Sequence, residues 1–464
     1  MEKTTNTTEN AMDPELHIDP ETCTPEELEK ELTRLRSVSS FYSDLEQSTK
    51  KFINSIYGAT GNKGFEWADT KVSKSITLQG RQLTRYGSML INTYFRTEFK
   101  TNTELHKKLG ISTEKARRLD VFGDQLENDD VRQSYIGKQY QGVDVTPVHP
   151  MVVKGGGDKR TLEIASDTDS IYAQMGPITD YFGIKGDREQ INFLITLYKE
   201  SLMDYLDKGF TAYAMGFNCK KNLENFELEK ISRNVVLVCK KHYVMNIGFY
   251  EPDVFYDYGE RMLYKGLKVV QGSTPAFMRT HLKEMTEWVI KRHTEGTLKM
   301  SDLIFKLNEI KQLMKYKDPD EICPNITMNN LEKMVLSSDP KALEVTFAKG
   351  CQPYHRGAAY YNLILRSKTE YAMKYEPLKS GEKVKYYKPN LDVASKVWDN
   401  ANVDCFSYRM GEFPEEFAPP IDFDSLFVDQ FLKEINRIIE AIGYKAVPER
   451  VIKCINGRNF TTLF

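Results

Sequence analysis

The sequence predicts an α+β fold: a mixed body followed by a mainly helical C-terminal region. Three observations lead there. One uninterrupted helical stripe opens the chain, short β-rich segments fill its middle, and from about residue 265 nearly every stretch carries helical spacing. At 464 residues the prior is about three domains. A hydrophobic fraction of 40% and a charged fraction of 28% exclude a disordered chain.

Residues 1–23 are polar and acidic, with Pro14 and Pro20, and read as a mobile tail. Thr24-Pro25-Glu26-Glu27 then predicts a helix start, with Thr24 as N-cap and Glu27 closing a capping box. Apolar residues follow at Leu28, Leu32, Leu35, Val38, Tyr42, Leu45, Phe52 and Ile56, and neither proline nor glycine intervenes before Gly58. Such a helix, about 50 Å long, projects from its domain or pairs with a second long helix. A helical stretch near 71–97 carries Arg81 and Arg85. Segments 161–165 and 170–175 read as short strands around a polar turn, 188–210 as helix, and 235–250 as β structure. Beyond 265, helical spacing marks 275–296, 300–316, 328–337, 357–366 and 424–442, while 378–392 reads as a basic loop or hairpin.

Several classes are excluded. Mean hydropathy is −0.51, and no apolar run reaches the roughly 18 residues that a bilayer span needs, so no membrane association is expected. The N-terminus lacks the apolar core of a signal peptide. Seven scattered cysteines form neither a disulfide framework nor a zinc knuckle, which predicts a reduced, cytosolic protein. Residues 1–48 carry a net charge of −8 and the remainder +6, a balance compatible with nucleic acid without requiring it.

Three constellations carry chemistry. In Lys50-Lys51-Phe52-Ile53-Asn54-Ser55-Ile56-Tyr57-Gly58, helical spacing puts Lys50, Asn54 and Tyr57 on one face. A cation, an amide and a phenol in register suit a phosphate chain at one end and a base at the other; a solvated face ending in a glycine cap is the plainer account. In Ser166-Asp167-Thr168-Asp169-Ser170, two carboxylates repel on a tight turn unless a divalent cation lies between them. Hard oxygen ligands suit Mg²⁺, and an ordinary Asx turn is the alternative. In Cys239-Lys240-Lys241-His242-Tyr243, strand alternation puts Lys241 and Tyr243 on one face and Lys240 and His242 on the other. The lysines suit a nucleic-acid backbone or, equally, a protected sheet edge.

In this order and at these separations the three motifs resemble those of the family B DNA polymerases, and within them the replicative polymerases of T-even-type tailed phages. Those fingers carry Lys-x-x-x-Asn-Ser-x-Tyr-Gly, the palm carries Asp-Thr-Asp-Ser, and a Lys-Lys-x-Tyr motif follows. Gly61-Asn62, Ser273-Thr274-Pro275 and Pro353-Tyr354-His355-Arg356-Gly357 are further similarities. The resemblance covers most of the chain from Thr24 onward, specific in motif order and loose between motifs.

The resemblance implies a partial right hand: an acidic tail over 1–23, the second long fingers helix over 24–61, palm over 62–264 and thumb over 265–464. It implies that Lys50 and Asn54 contact the incoming dNTP, that Tyr57 packs under the nascent pair, and that Gly58 leaves room for the base. Asp169, with Asp167 beside it, would be the catalytic metal ligand, in a site for two Mg²⁺ ions. Lys240, Lys241 and Tyr243 would contact primer-template DNA. The terminal Phe460, Leu463 and Phe464 resemble a tail that grips a sliding clamp. Two features depart from the family. Ala165 and Ser166 stand where its palm motif has Tyr-Gly, and the upstream motif ending Ser-Leu-Tyr-Pro-Ser, which bears the other aspartate, does not occur in the sequence. The expectation is therefore the C-terminal subunit of a split DNA-directed DNA polymerase. An N-terminal polymerase chain would supply the remaining aspartate, the first fingers helix and the exonuclease, in the cytoplasm of an infected bacterial host. The alternative is a non-catalytic DNA- or clamp-binding remnant.

Overall fold

A computed structural model describes residues 14–119, 162–167, 170–224, 226–251, 253–390 and 403–453, with only the backbone of Asp167, and the short strand pairs 125–126 with 149–150 and 139–140 with 143–144. The described residues form a mixed helix-and-sheet protein, as the composition of elements predicts. The chain divides into two compact units, Met1–Glu227 and Leu228–Phe464, so the segment 62–264 is distributed over both.

In the first unit, helix α1 spans Pro25–Gly61. The capping box forms as the sequence requires: the Glu27 amide donates to Thr24 Oγ1 at 3.3 Å, and the Thr24 amide donates to Glu27 Oε2 at 2.9 Å. Residues 14–23 fold back on the first turns of α1. The His17 amide donates to Glu31 Oε1 at 2.9 Å and Arg34 Nη2 donates to the Glu15 carbonyl at 2.6 Å. The helix does not stop at Gly58. It runs on to Gly61, and a turn at Asn62, whose Oδ1 accepts the Gly64 amide at 3.0 Å, reverses the chain.

Helix α2, Thr70–Arg96, follows, N-capped by Asp69. Its first half is largely exposed; its second half enters a core with Tyr86, Met89, Leu90, Tyr94 and Phe95. A helix across Asp187–Gly216, with one π turn at Tyr198–Leu202, packs there. The approach is close, because a Cβ on Gly209 would lie 2.4 Å from Leu90 Cδ1. Strands β1, Glu163–Asp167, and β2, Ser170–Ala173, form an antiparallel hairpin laid on α2.

In the second unit, strands β3 (Lys230–Cys239), β4 (His242–Tyr250) and β5 (Met262–Lys265) make an antiparallel sheet in the order β5-β4-β3. The segment read as β structure over 235–250 is thus two strands of a hairpin. Helices α3, Ala276–Thr294, and α4, Met300–Met314, follow where helical spacing places them. Beyond them the region holds more sheet than its spacing suggested. Strands β6 (Asn325–Thr327), β9 (Lys383–Tyr387) and β10 (Phe406–Arg409) pair, and β7 (Val335–Asp339) pairs with β8 (Glu344–Phe347). Residues 328–337, which read as helix, give one short turn, Leu331–Met334, and then run into β7. Runs of three to five residues carry too little periodicity to separate strand from helix. Helix α5, Pro353–Ser367, packs on β10, and Phe423–Ala441 closes the unit as a helix interrupted by a π turn.

Candidate functional site

The site is built from the junction of α1 and α2. Gly61 comes against Ser73, whose Oγ would lie 3.0 Å from a Cβ there, and Tyr57 shares a 2.6 Å hydrogen bond between its hydroxyl and Thr77 Oγ1. Gly61 with Ser73 and Tyr57 with Thr77 make the two helices antiparallel at this contact. Moving away from it, Asn54 and Lys50 on α1 advance in the same direction as Arg81, Arg85 and Ser88 on α2. Asn54 and Lys50 are exposed, and Lys50 forms an ion pair with Glu46 one turn earlier. The hydrogen bond from Thr77, reinforced by Ser73, holds the Tyr57 phenol below its ordinary pKa. Gly58 faces open space.

The acidic hairpin lies farther along α2. Ser88 Oγ bonds Glu163 Oε2 at the start of β1, and a Cβ on Gly87 would lie 2.9 Å from Ile171 Cδ1 on β2. Ser88 is eleven residues beyond Thr77, three turns or about 16 Å along the axis and within about 20° of the same face. Arg81 and Arg85 are exposed between them. One helix thus carries the contact to Tyr57 at one point and the Asp167 hairpin at another. Neither arginine was singled out by motif; their spacing from Thr77 was the available signal, and it acquires meaning only once Tyr57 is seen to sit there. The register pairs Asp167 with Ser170, and Ala165 with Tyr172 after a bulge. Thr168, Asp169 and the side chain of Asp167 lie outside the described residues.

The third constellation differs from its expected strand geometry. Cys239 pairs with His242, which makes Lys240 and Lys241 turn residues of the β3–β4 hairpin. Lys241 takes φ +62°, and a bulge separates Leu237 from Cys239. A left-handed residue beside a bulge is one of the favoured ways to close a hairpin. Both lysines are exposed at the tip, while Tyr243 is buried, with 8% exposure. The turn is supported from below: a Cβ on Gly266 would fall 2.4 Å from the Lys241 carbonyl oxygen. The fold adds two cations to this turn. Lys265 is the cross-strand partner of Tyr243, and Arg437 Nη2 lies 3.2 Å from Cys239 Sγ.

Pro353-Tyr354-His355-Arg356-Gly357 proves to be a packing device. Arg356 Nε forks onto Asp404 at 3.0 and 2.9 Å, His355 Nε2 meets the Asn329 carbonyl at 2.8 Å, and a Cβ on Gly357 would lie 2.6 Å from the Ser407 amide nitrogen. Phe460, Leu463 and Phe464 lie outside the described residues.

Among the described residues no group of three or more His, Cys, Asp or Glu side chains is placed to hold a metal ion. Asp167, at a strand end, and Asp169, two residues on in sequence, are hard oxygen donors of the kind Mg²⁺ takes. No helix among the described residues is long and apolar enough to cross a membrane. No family model matches the chain, and no curated protein matches it.

Proposed function

We propose that the chain is the C-terminal subunit of a DNA-directed DNA polymerase of family B type, contributing the second fingers helix, part of the palm and the thumb. The observation that carries this reading is the antiparallel contact of α1 and α2, from which Lys50, Asn54, Arg81, Arg85 and the Asp167 hairpin all extend in one direction within one unit. A nucleotide lying along that face meets a phenol first and cations and carboxylates beyond it.

In this reading Tyr57, fixed by Thr77, supports the base of the incoming dNTP, and Gly58 leaves its edge uncrowded. Lys50 and Asn54 bind the triphosphate, and the ammonium of Lys50 exchanges Glu46 for a phosphate. Arg81 and Arg85 add positive charge beside it. Asp167 and Asp169 hold Mg²⁺, which when bound supplies activation of the primer hydroxyl and neutralises charge on the phosphates. Lys240 and Lys241 meet the backbone of the primer-template duplex, and the C-terminal Phe460, Leu463 and Phe464 engage a sliding clamp. Two aspartates of one hairpin do not complete a two-metal ligand set, so the remaining carboxylate, the first fingers helix and the exonuclease come from polypeptide outside these 464 residues.

The test is primer extension by the chain co-expressed with a polypeptide bearing the missing aspartate motif. Templated addition that disappears in Asp169→Ala supports the assignment; a fully active Asp169→Ala complex removes it. Extension by the purified chain alone refutes the need for a complement. Ala165 and Ser166, standing where the family has Tyr-Gly, favour a second reading, a DNA- or clamp-binding remnant that binds duplex and never extends it.

A further inference from the structure

The second unit contains a cleft of about 400 Å³, bordered by Ser273 and Thr274 of the Ser273-Thr274-Pro275 motif and lined also by Lys268, Gln271, Thr327 and Tyr386. We propose that this cleft is a subsite for a backbone phosphodiester of the nucleic-acid strand that passes over the Lys240–Lys241 turn. The inference rests on the nucleic-acid reading above and names a contact that reading lacks.

Its chemistry is one-sided. The lining has a cation, amides and hydroxyls but neither aspartate nor glutamate. An ammonium has three donors; Lys268 Nζ gives one to the Asp429 carbonyl at 2.6 Å and reaches Gln430 Oε1 at 3.4 Å, which leaves a donor for a ligand. The carboxylates that act on Lys268 are shared with other cations, Asp429 with Lys433 at 2.5 Å and Glu434 with Arg437 at 3.2 Å. Burial lowers the affinity of Lys268 for its proton, against the opposing pull of Glu434 and Asp429, and a phosphate would favour the charged form further. The Tyr386 phenol, whose pKa burial raises, adds a hydroxyl donor to the lining.

The cleft is also joined to the lysine turn. Gly266 lies under the Lys241 carbonyl, and Gln271, which lines the cleft, donates from Nε2 to the Gly266 carbonyl at 3.1 Å. A strand crossing Lys240 and Lys241 therefore reaches the cleft within a few residues of protein backbone.

The test is duplex-DNA binding by the full chain as a function of salt. Lys268→Gln should weaken binding roughly threefold to tenfold and lower the slope of log K against log salt by about 0.9, the loss of one phosphate contact. Thr327→Glu, at an exposed lining position, should weaken binding at least as much and serves as the deciding variant if Lys268→Gln does not fold. A short oligonucleotide should displace the duplex at far lower concentration than inorganic phosphate. If Lys240→Ala and Lys241→Ala weaken binding while both cleft variants match the wild type, the cleft inference falls and the nucleic-acid reading stands. If inorganic phosphate competes as well as the oligonucleotide, the cleft is a free-anion site and the inference falls. If the wild type binds no duplex at low salt, both fall together.

Discussion

The core of the second unit and the long helix α1 of the first treat their large apolar side chains in opposite ways. In the second, Phe406, Tyr361, Tyr387 and Phe417 are almost fully buried, and Phe417 alone meets the rings of Tyr361, Tyr371, Tyr375 and Phe406. Along α1 of the first, Leu28, Leu32, Phe41, Tyr42, Leu45, Phe52, Ile53 and Ile56 are exposed, Phe52 by 68%. A core holds the second unit. The long helix is held instead by its cap, the Glu31–Arg34 clasp and a short contact with α2, and most of its apolar stripe is exposed. The difference separates side chains whose burial stabilises the fold from side chains that contribute little to it.

The sharpest way to break this comparison is a pair of truncations. Phe406→Ala should cost about 3–5 kcal/mol in chemical denaturation, whereas Phe52→Ala should change stability by less than about 0.5 kcal/mol. Equal losses would mean that α1 is already covered in solution. Charge sharpens it next. Lys311 is buried, ion-paired with Asp424 at 2.5 Å and bonded to the Ile452 carbonyl at 2.7 Å. Lys311→Ala should cost about 2–3 kcal/mol by removing buried packing and leaving the Ile452 carbonyl without its donor. Lys50→Ala, which breaks an exposed pair with Glu46, should leave the melting temperature nearly unchanged.

Glycines give a smaller contrast of opposite sign. Gly357→Ala should cost about 1–3 kcal/mol, since its Cβ meets backbone atoms of Phe406 and Ser407. Gly58→Ala lies inside a helix facing open space and should stabilise it by about 0.5–1 kcal/mol. If Gly58 lies beneath the incoming base, the same variant slows nucleotide addition, so stability and activity move apart. Thr24→Ala should cost about 1 kcal/mol of local helix stability, read by hydrogen exchange across the first turn of α1.

The mildest effect is one of pH. Hydrogen bonds from Arg34, then from the His17 amide, hold the Glu31 carboxyl at about 2, below the ordinary value of 4.5. A depressed acid contributes stability above its unfolded pKa and loses it as pH falls through the folded one. Residues 14–23 should stay docked at pH 5 and loosen progressively from about pH 4.5 toward 2. Exchange of the His17 amide reports it, and a flat profile would remove the clasp.

Local order was legible in the residues. The capping box of α1, the reach of α2, α3 and α4, and the hairpin at Asp167–Ser170 follow from short-range rules, because capping and periodicity act over one or two turns, whereas α5 begins at Pro353, ahead of the marked 357–366. The end of α1 at Gly61 matches the extent expected of the second fingers helix; the alternative of a glycine cap at Gly58 does not occur, because the chain leaves the helix at an extended Asn62. Lys240 and Lys241 misled as strand residues, since alternation is silent about where a hairpin folds. The three-stranded sheet of β6, β9 and β10 pairs β6 with β9 some sixty residues on, and no local pattern encodes that pairing.

By itself, then, the sequence determined which residues could cap, pair charges or bind a phosphate, because those properties belong to side chains and their near neighbours. Tertiary structure alone decided which of them meet. It seated Tyr57 on Thr77, hung the acidic hairpin three turns further along α2, buried Tyr243 and opened a cleft beside the lysine turn. Those outcomes depend on contacts between distant segments, whose energies no single stretch of chain contains.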